Sequence, residues 1–338
     1  MRTFSHPGYK RFLLSVGCLL SIHFTALFFL TLFRLVFFFS ANYDFPDQEH
    51  VGFMSIWPAF IRGVWFDNVI ACYILLIPLV AVSISALFNY YGKILWNVTC
   101  IFFSLFYGIV LLVTAANIPY FQYFFKIINS SVFNWFGYMN TTAGMVFGET
   151  SYYPPLIGFL LTLVLFIWLM RRLIRHFQRL LNTKNPSVFW LDRIYIFLTA
   201  CICIGLCLFG IRGRTGYNPI KVSAAYYCTD PFLNQLGISP VFNLLSSTLD
   251  DSRKENRYLH LMPENEALEN TRHYLNRPGI EGISPIARQI NASDSLRRPN
   301  IVLIFMESMS AHLMKRFGQQ KELTPFLDSL YRQSLAFS

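Results

Sequence analysis

Long stretches without a charged residue set the organisation of this chain. No charge falls between Arg11 and Arg34, and the apolar run continues through Phe39. Four more uncharged intervals run Asn68–Gly92, Ile94–Ile118, Thr150–Met170 and Ile194–Ile211. A helix crosses the hydrocarbon core with about 20 apolar residues, so the pattern predicts five transmembrane helices within residues 1–211. Pro154 and Pro155 shorten the apolar core of the fourth, but proline is accepted in a first helical turn, so that helix can begin there. The first run is too long for a signal-peptide core and has no small-residue cleavage site after it, so it is expected to stay as an anchor.

Composition agrees with this division. The chain is 54% hydrophobic and 14% charged, against about a quarter charged in soluble domains. The formal net charge of +10 flanks apolar runs instead of forming a basic face, which excludes nucleic acid as the partner and leaves the lipid bilayer. Its distribution also orients the chain. Arg2, Lys10 and Arg11 precede the first helix, Lys93 follows the second, and Arg171, Arg172, Arg175, Arg179, Lys184 and Arg193 cluster after the fourth. The alternate loops carry Arg62 and Lys126 among Asp44, Asp47, Glu49, Asp67 and Glu149. The positive-inside rule places the amino terminus in the cytoplasm and everything after Ile211 outside.

Polar residues within the spans are few. His23 and Asn97 are the two to weigh, since an intramembrane ionisable group is a functional candidate; a lone neutral histidine is the more ordinary packing residue. Arg34 is expected to snorkel to the outer headgroups. Cys18, Cys72, Cys100, Cys201, Cys203 and Cys207 lie in apolar runs and read as small apolar side chains, although the last three could be imagined as a metal site. Only Cys228 lies in the soluble part, so no disulfide framework is available there. The loop 119–149 carries Phe121, Tyr123, Phe124, Phe125, Phe133, Trp135, Phe136 and Tyr138. It is expected to lie along the outer interface as short amphipathic helices, serving either as an aromatic belt or as a platform for a lipid substrate.

Residues 212–298 read as an extracytoplasmic connector, broken by Pro219, Pro231, Pro240, Pro263, Pro278 and Pro285, with a short helix over 263–276. Residues 299–338 change character. Ile301–Met306 is a β-branched apolar run bounded by Pro299, which fits a strand buried on both faces of a parallel sheet. Glu307 and Ser308 follow it, Met309–Phe317 reads as a helix closed by Gly318, and Thr324 with Pro325 opens another. Leu335–Phe337 is expected to begin a second strand. Ligands bind at the carboxyl ends of strands in open α/β sheets, so Glu307 is a candidate ligand for a divalent cation, though a strand-end glutamate is as often a salt-bridge or capping residue. Ser308 is expected to cap the next helix, and neither it nor Ser310 sits in a G-x-S-x-G elbow. His312 is expected to pack or face solvent. One strand and two helices cannot cover both faces of a sheet, so the chain is expected to be part of a longer protein and inactive by itself.

The run IVLIFMES, with LTPFLDSL about sixteen residues later, resembles the opening of the lipoteichoic acid synthase and phosphoglycerol transferase family of the sulfatase and alkaline phosphatase superfamily. The motif covers residues 299–338; the membrane part is similar in architecture. The resemblance implies a five-helix membrane domain followed by the truncated start of an α/β sulfatase-like domain. It also implies that Glu307 is the first ligand of a catalytic metal, manganese before zinc or magnesium. The family's threonine nucleophile and later metal ligands fall beyond Ser338. In the family, that threonine attacks phosphatidylglycerol, diacylglycerol leaves, and the phosphoglycerol group passes to a glycan or polyglycerol-phosphate acceptor outside a bacterial cytoplasmic membrane.

Phosphoethanolamine transferases acting on lipid A share five helices and a strand-end glutamate, but carry Gly-Glu-Thr there and disulfides in the outer domain. Met306-Glu307-Ser308 and a single outer cysteine favour the phosphoglycerol branch. A sulfatase would need a formylglycine site downstream. A transporter predicts polar or charged residues repeated along several helices, and the helices here are nearly free of charge. A non-catalytic membrane scaffold is the alternative of another class.

Overall fold

Among the described residues five helices are long and apolar enough to cross a membrane: α1 (Pro7–Ser40), α2 (Ile56–Leu87), α3 (Lys93–Phe124), α5 (Tyr153–Leu181) and α6 (Trp190–Arg212). The computed structural model describes residues 6–41, 53–181, 190–253, 261–275, 287, 300 and 302–335. The short helix α4 (Met139–Gly148) precedes α5, and α7 (Pro231–Leu236) and α8 (Pro240–Ser252) follow α6. The chain separates into two compact units, Met1–Leu259 and His260–Ser338.

In the first unit α1 is central and packs against α2, α5, α6 and α3; α2 pairs with α6, and α3 with α5. Aromatic side chains carry much of the packing. Phe166 of α5 is fully buried between Phe29 and Tyr107, with ring centroids 6.0 and 5.4 Å away. Such edge-to-face contacts add to the burial of large apolar surface. Several serine and threonine hydroxyls in the spans are satisfied within their own helix. Ser15, Ser21, Thr25, Thr31, Ser83, Ser104 and Thr114 each donate to the carbonyl four residues earlier. That local bond removes the cost of an unpaired donor in hydrocarbon.

The helices exceed their uncharged intervals. α2 begins at Ile56, twelve residues before the expected start at Asn68, and takes Arg62 and Asp67 into its first turns. α5 continues through Arg171–Arg179 to Leu181, because a basic helical end is stable once it leaves the hydrocarbon. Pro154 and Pro155 do fall in its first turn, as their fixed φ favours. Pro119–Phe124, expected in a loop, complete α3. Only Ser130–Tyr138 (a 3₁₀ segment) and α4 form the short helices of the aromatic stretch.

Hydrogen bonds sort the helix ends into two groups. At one end His6 Nδ1 lies 2.8 Å from Asp192 Oδ1, and Arg11 donates to Leu181 O at 2.7 Å, which ties the starts of α1 and α6 to the end of α5. Arg11 also lies 4.9 Å from the Tyr91 ring centroid, and burial pushes the Tyr91 phenol up to about 12. At the other end Trp65 donates to Gly213 O, Tyr227 to Ser55 O, and Gln122 to Ser40 O. Gly213 turns the chain off α6 with φ +72°, and a β-carbon there would stand 2.7 Å from Ile220, so glycine is required twice over.

Among its described residues the second unit has two α-helices, α9 (Glu264–Leu275) and α10 (Pro325–Gln333). α9 matches the helix expected over 263–276, with Glu264 and Glu266 in its first turn and Arg272 and His273 in its last, as the helix dipole favours. The described residues contain no strand. The strand expected over Ile301–Met306 is irregular over residues 302–306. A strand exists only through its ladder, and no described segment pairs with it. The helix expected over Met309–Phe317 is replaced by two 3₁₀ turns, Ala311–Leu313 and Lys315–Phe317. At nine residues the segment is too short to hold a helix without packing, and its Leu313 and Phe317 are exposed. Of the strand expected from Leu335, residues 336–337 lie outside the described residues.

The end-sorting generates a labelling test. In a Cys228→Ser background, Met139→Cys and Ser252→Cys should react with a membrane-impermeant maleimide from one side of the membrane. Lys93→Cys should react only from the other side. Equal labelling of all three from one side would contradict this arrangement.

Candidate functional site

Arg34 does not snorkel outward. It is 5% exposed, and its Nη2 donates to Asp67 Oδ2 at 2.5 Å, with Asp67 itself 2% exposed. Its Nη1 donates to Leu236 O at 2.6 Å and to Ile238 O at 3.2 Å. Snorkelling loses because a closer carboxylate and two carbonyls are already in reach, and charge-assisted bonds in a low dielectric are strong. Gly63 makes room: a β-carbon there would lie 2.2 Å from Arg34 Cζ. Sequence reading missed this cluster because Asp67 was taken as the edge of a span. The available signal was a basic residue followed by five further apolar positions, 35–39.

A cap builds on this pair. Asp230 accepts from Leu233 N at 2.8 Å and so caps α7, with Pro231 at the first helical position. Asn234, 5% exposed, accepts from Tyr227 N and donates to Cys228 O. Burial raises the Tyr227 phenol, over which Arg62 lies 4.4 Å from the ring centroid. Residues 125–130 are stitched to the cap from the α3 side. Ile127 N donates to Gln235, Ile128 N to Asn117 Oδ1, Asn243 to Ile128 O, and Ser130 N to Ser247. Phe37, Phe121 and Phe232 close the space between α1, α3 and α7, with centroids 4.9 to 5.8 Å apart. Beside this cap the aromatic stretch is open: Tyr123, Phe125, Phe136, Tyr138 and Phe147 are all at least 60% exposed.

Glu307, the residue singled out in sequence, is exposed and sits in a turn directly after residues 302–306. Val302, Leu303, Ile304 and Phe305 are each at least 75% exposed, an apolar run with no partner among the described residues. Ser308 has φ +60°, a left-handed conformation uncommon for serine. It does not cap the following turn; Ser310 does, accepting from His312 N at 3.3 Å. His312 is exposed. Thr324 is the N-cap residue of α10, but its hydroxyl is engaged with Leu313 O and Asp328 Oδ2, each at 3.2 Å. Asp328 in turn accepts from Lys315 N. Among the described residues no group of three or more His, Cys, Asp or Glu side chains gathers to hold a metal ion. Glu307 therefore offers one oxygen donor where a divalent cation needs six or so, and no catalytic step through a metal follows from these residues.

The remaining candidates separate cleanly. His23 is 4% exposed and its Nε2 lies 3.0 Å from Asn68 Oδ1, the hydrogen-bonded packing role. Asn97 is exposed near the start of α3 rather than buried in the span. All seven cysteines are free, and Cys207 donates to Cys72 O at 3.3 Å, an α6-to-α2 contact. Cys201 is exposed, away from a shared site with Cys207.

Removing one member of a buried ion pair leaves an uncompensated charge, which costs about 3–5 kcal/mol. Asp67→Leu should therefore lower the thermal midpoint in detergent sharply, and Gly63→Leu should do the same by evicting the guanidinium. Adding Arg34→Met to Asp67→Leu should restore part of the loss. If the double variant is less stable than Asp67→Leu alone, the pairing is not what this site depends on.

No protein-family model matches the chain, and neither a curated protein nor a solved structure matches it.

Proposed function

We propose that this chain anchors a metal-dependent phosphoglycerol transferase of the lipoteichoic acid synthase type in a bacterial cytoplasmic membrane. Phosphatidylglycerol would be the donor, and a glycan or polyglycerol-phosphate chain outside the membrane the acceptor. The observation that carries the reading is the sequence NIVLIFMES followed by LTPFLDSL. It puts a carboxylate directly after an apolar run of strand character, with two short turns and then a proline-led helix following. The left-handed Ser308 supports it, since backbone strain of this kind gathers beside functional side chains. On this reading residues 301–306 form the first strand of a parallel sheet, whose other members bury the now exposed Val302–Phe305.

Two features of the first unit support a lipid donor. The cap of α7 and α8 is bound to the same helix ends as the aromatic stretch, so the chain leaves the bundle beside exposed Tyr123, Phe136 and Tyr138. Aromatic side chains favour the level of the lipid headgroups, where a donor phosphodiester lies. The charge pattern supports reading that end as the one outside the cytoplasm. The absence of a disulfide, with Cys228 free, argues against the phosphoethanolamine branch. The bound metal, manganese on this reading, would supply Lewis acidity, with Glu307 as one of its ligands. The chain's own contribution is to hold the donor at the membrane face.

The test is transfer of labelled phosphoglycerol from phosphatidylglycerol in membranes carrying the protein, supplied with manganese. Glu307→Ala should reduce transfer by at least about a hundredfold, and Glu307→Asp should retain part of it. Full transfer by Glu307→Ala would refute the assignment, as would labelling of a His312→Cys variant from the cytoplasmic side.

A further inference from the structure

At the end of the bundle opposite the cap, α5 carries Arg171, Arg175 and Arg179 at four-residue spacing, which puts them on one face. Arg172 lies beside them, its guanidinium 5.4 Å from the Trp168 ring centroid. Two concavities flank this stripe and share Arg175. One, of about 350 Å³, is lined by Trp168, Arg172, Arg175, His176 and Arg179. The other, of about 430 Å³, lies between α5 and the start of α3; Asn97, Arg171 and Gln178 contribute its polar groups, Trp96, Ile101 and Ile174 its apolar ones.

None of these four arginines forms a salt bridge among the described residues. Asp192, on α6, is fully buried and held by His6. Four cations are thus left without a counter-charge around a shaped groove. Immediately toward the membrane, the same two helices expose Leu161, Val164 and Leu165 on α5 and Ile101 and Leu105 on α3. A polar anionic head with apolar tails fits that sequence of surfaces.

We infer that the groove between the basic end of α5 and the start of α3 binds the phosphodiester headgroup of an anionic glycerophospholipid, whose acyl chains lie along α3 and α5. Arg171 and Arg175 bind the phosphate through their forked guanidinium groups, and Asn97 and Gln178 bind glycerol hydroxyls or ester oxygens. Orientation by positive charge requires only that basic residues be present; it does not require a concave site with an amide on each wall. The continuity of the groove with exposed Ile101 and Val164 favours a lipid over a free anion, for which an apolar wall offers nothing. This site lies at the end of the bundle away from the cap-side aromatic residues, and it does not depend on the transferase reading.

The experiment is native mass spectrometry of the full chain in detergent, titrated with phosphatidylglycerol or cardiolipin and, separately, with phosphatidylcholine. Anionic lipid should bind in preference, and Arg171→Gln with Arg175→Gln should weaken it roughly thirtyfold, at about a factor of five per basic residue removed. Arg171→Lys with Arg175→Lys should retain most of the charge-driven binding and lose the bidentate part. Free glycerol phosphate at millimolar concentration should not displace the lipid. Asn97→Leu, which leaves every charge in place, gives a second reading should the double glutamine variant fail to fold; it should weaken binding severalfold. Equal retention of anionic lipid by wild type and these variants overturns the proposal. So does binding of phosphatidylcholine as tight as phosphatidylglycerol, or ready displacement by glycerol phosphate.

Discussion

The Arg34 guanidinium is the point on which the bundle closes. A charge in hydrocarbon costs several kcal/mol unless it is paired and its remaining hydrogens are bonded. Here one side chain from α1 engages a carboxylate from α2 and two carbonyls that follow α6. The cation and its partners come from three separate parts of the chain, so the pair is satisfied only when α1, α2 and the α7 segment are all in place. Gly63 on α2 gives the guanidinium its space, and the aromatic cluster of Phe37, Phe121 and Phe232 seals it from one side. Hydrophobic packing alone would hold these helices with little preference for register, because lipid tails are as apolar as leucine. The ionic site supplies that preference.

The two ends of the bundle use charge in opposite ways. At the cap, Arg34, Asp67, Asp230 and Asn234 are each buried and bonded, which makes a fixed platform. At the other end, Arg171, Arg172, Arg175 and Arg179 remain exposed on a helix that has left the hydrocarbon. Burial follows the same division: α1 and α2 carry most of the core, while α5 and α6 are largely turned outward. A bundle built this way has a stiff centre and a broad lipid-facing periphery.

Much of this was legible in the sequence. Uncharged runs found all five spans, and Pro154 and Pro155 marked a true helix start. The 263–276 helix was visible from its acidic first turn. What escaped was every feature set by distant partners. Asp67 looked like a boundary because a lone acid in a span is costly, and only Arg34, 33 residues earlier, removes that cost. Ser308 looked like a cap, but the left-handed backbone there hands the role to Ser310. The strand expected over Ile301–Met306 has the composition of a strand, and composition cannot supply the neighbour that a ladder needs. Glu307 keeps its place after the apolar run, while its ligand environment is not formed by the described residues.

The carbonyls that complete the Arg34 site lie 202 and 204 residues further along the chain. During synthesis α1 enters the membrane long before either exists, so its cation and Asp67 must wait half-solvated while three more helices are threaded. The order of biogenesis thus leaves a late locking step, taken only after the segment behind α6 has been made. A ribosome-bound intermediate ending near α6 would hold its first two helices loosely and tighten them on synthesis of the next few dozen residues.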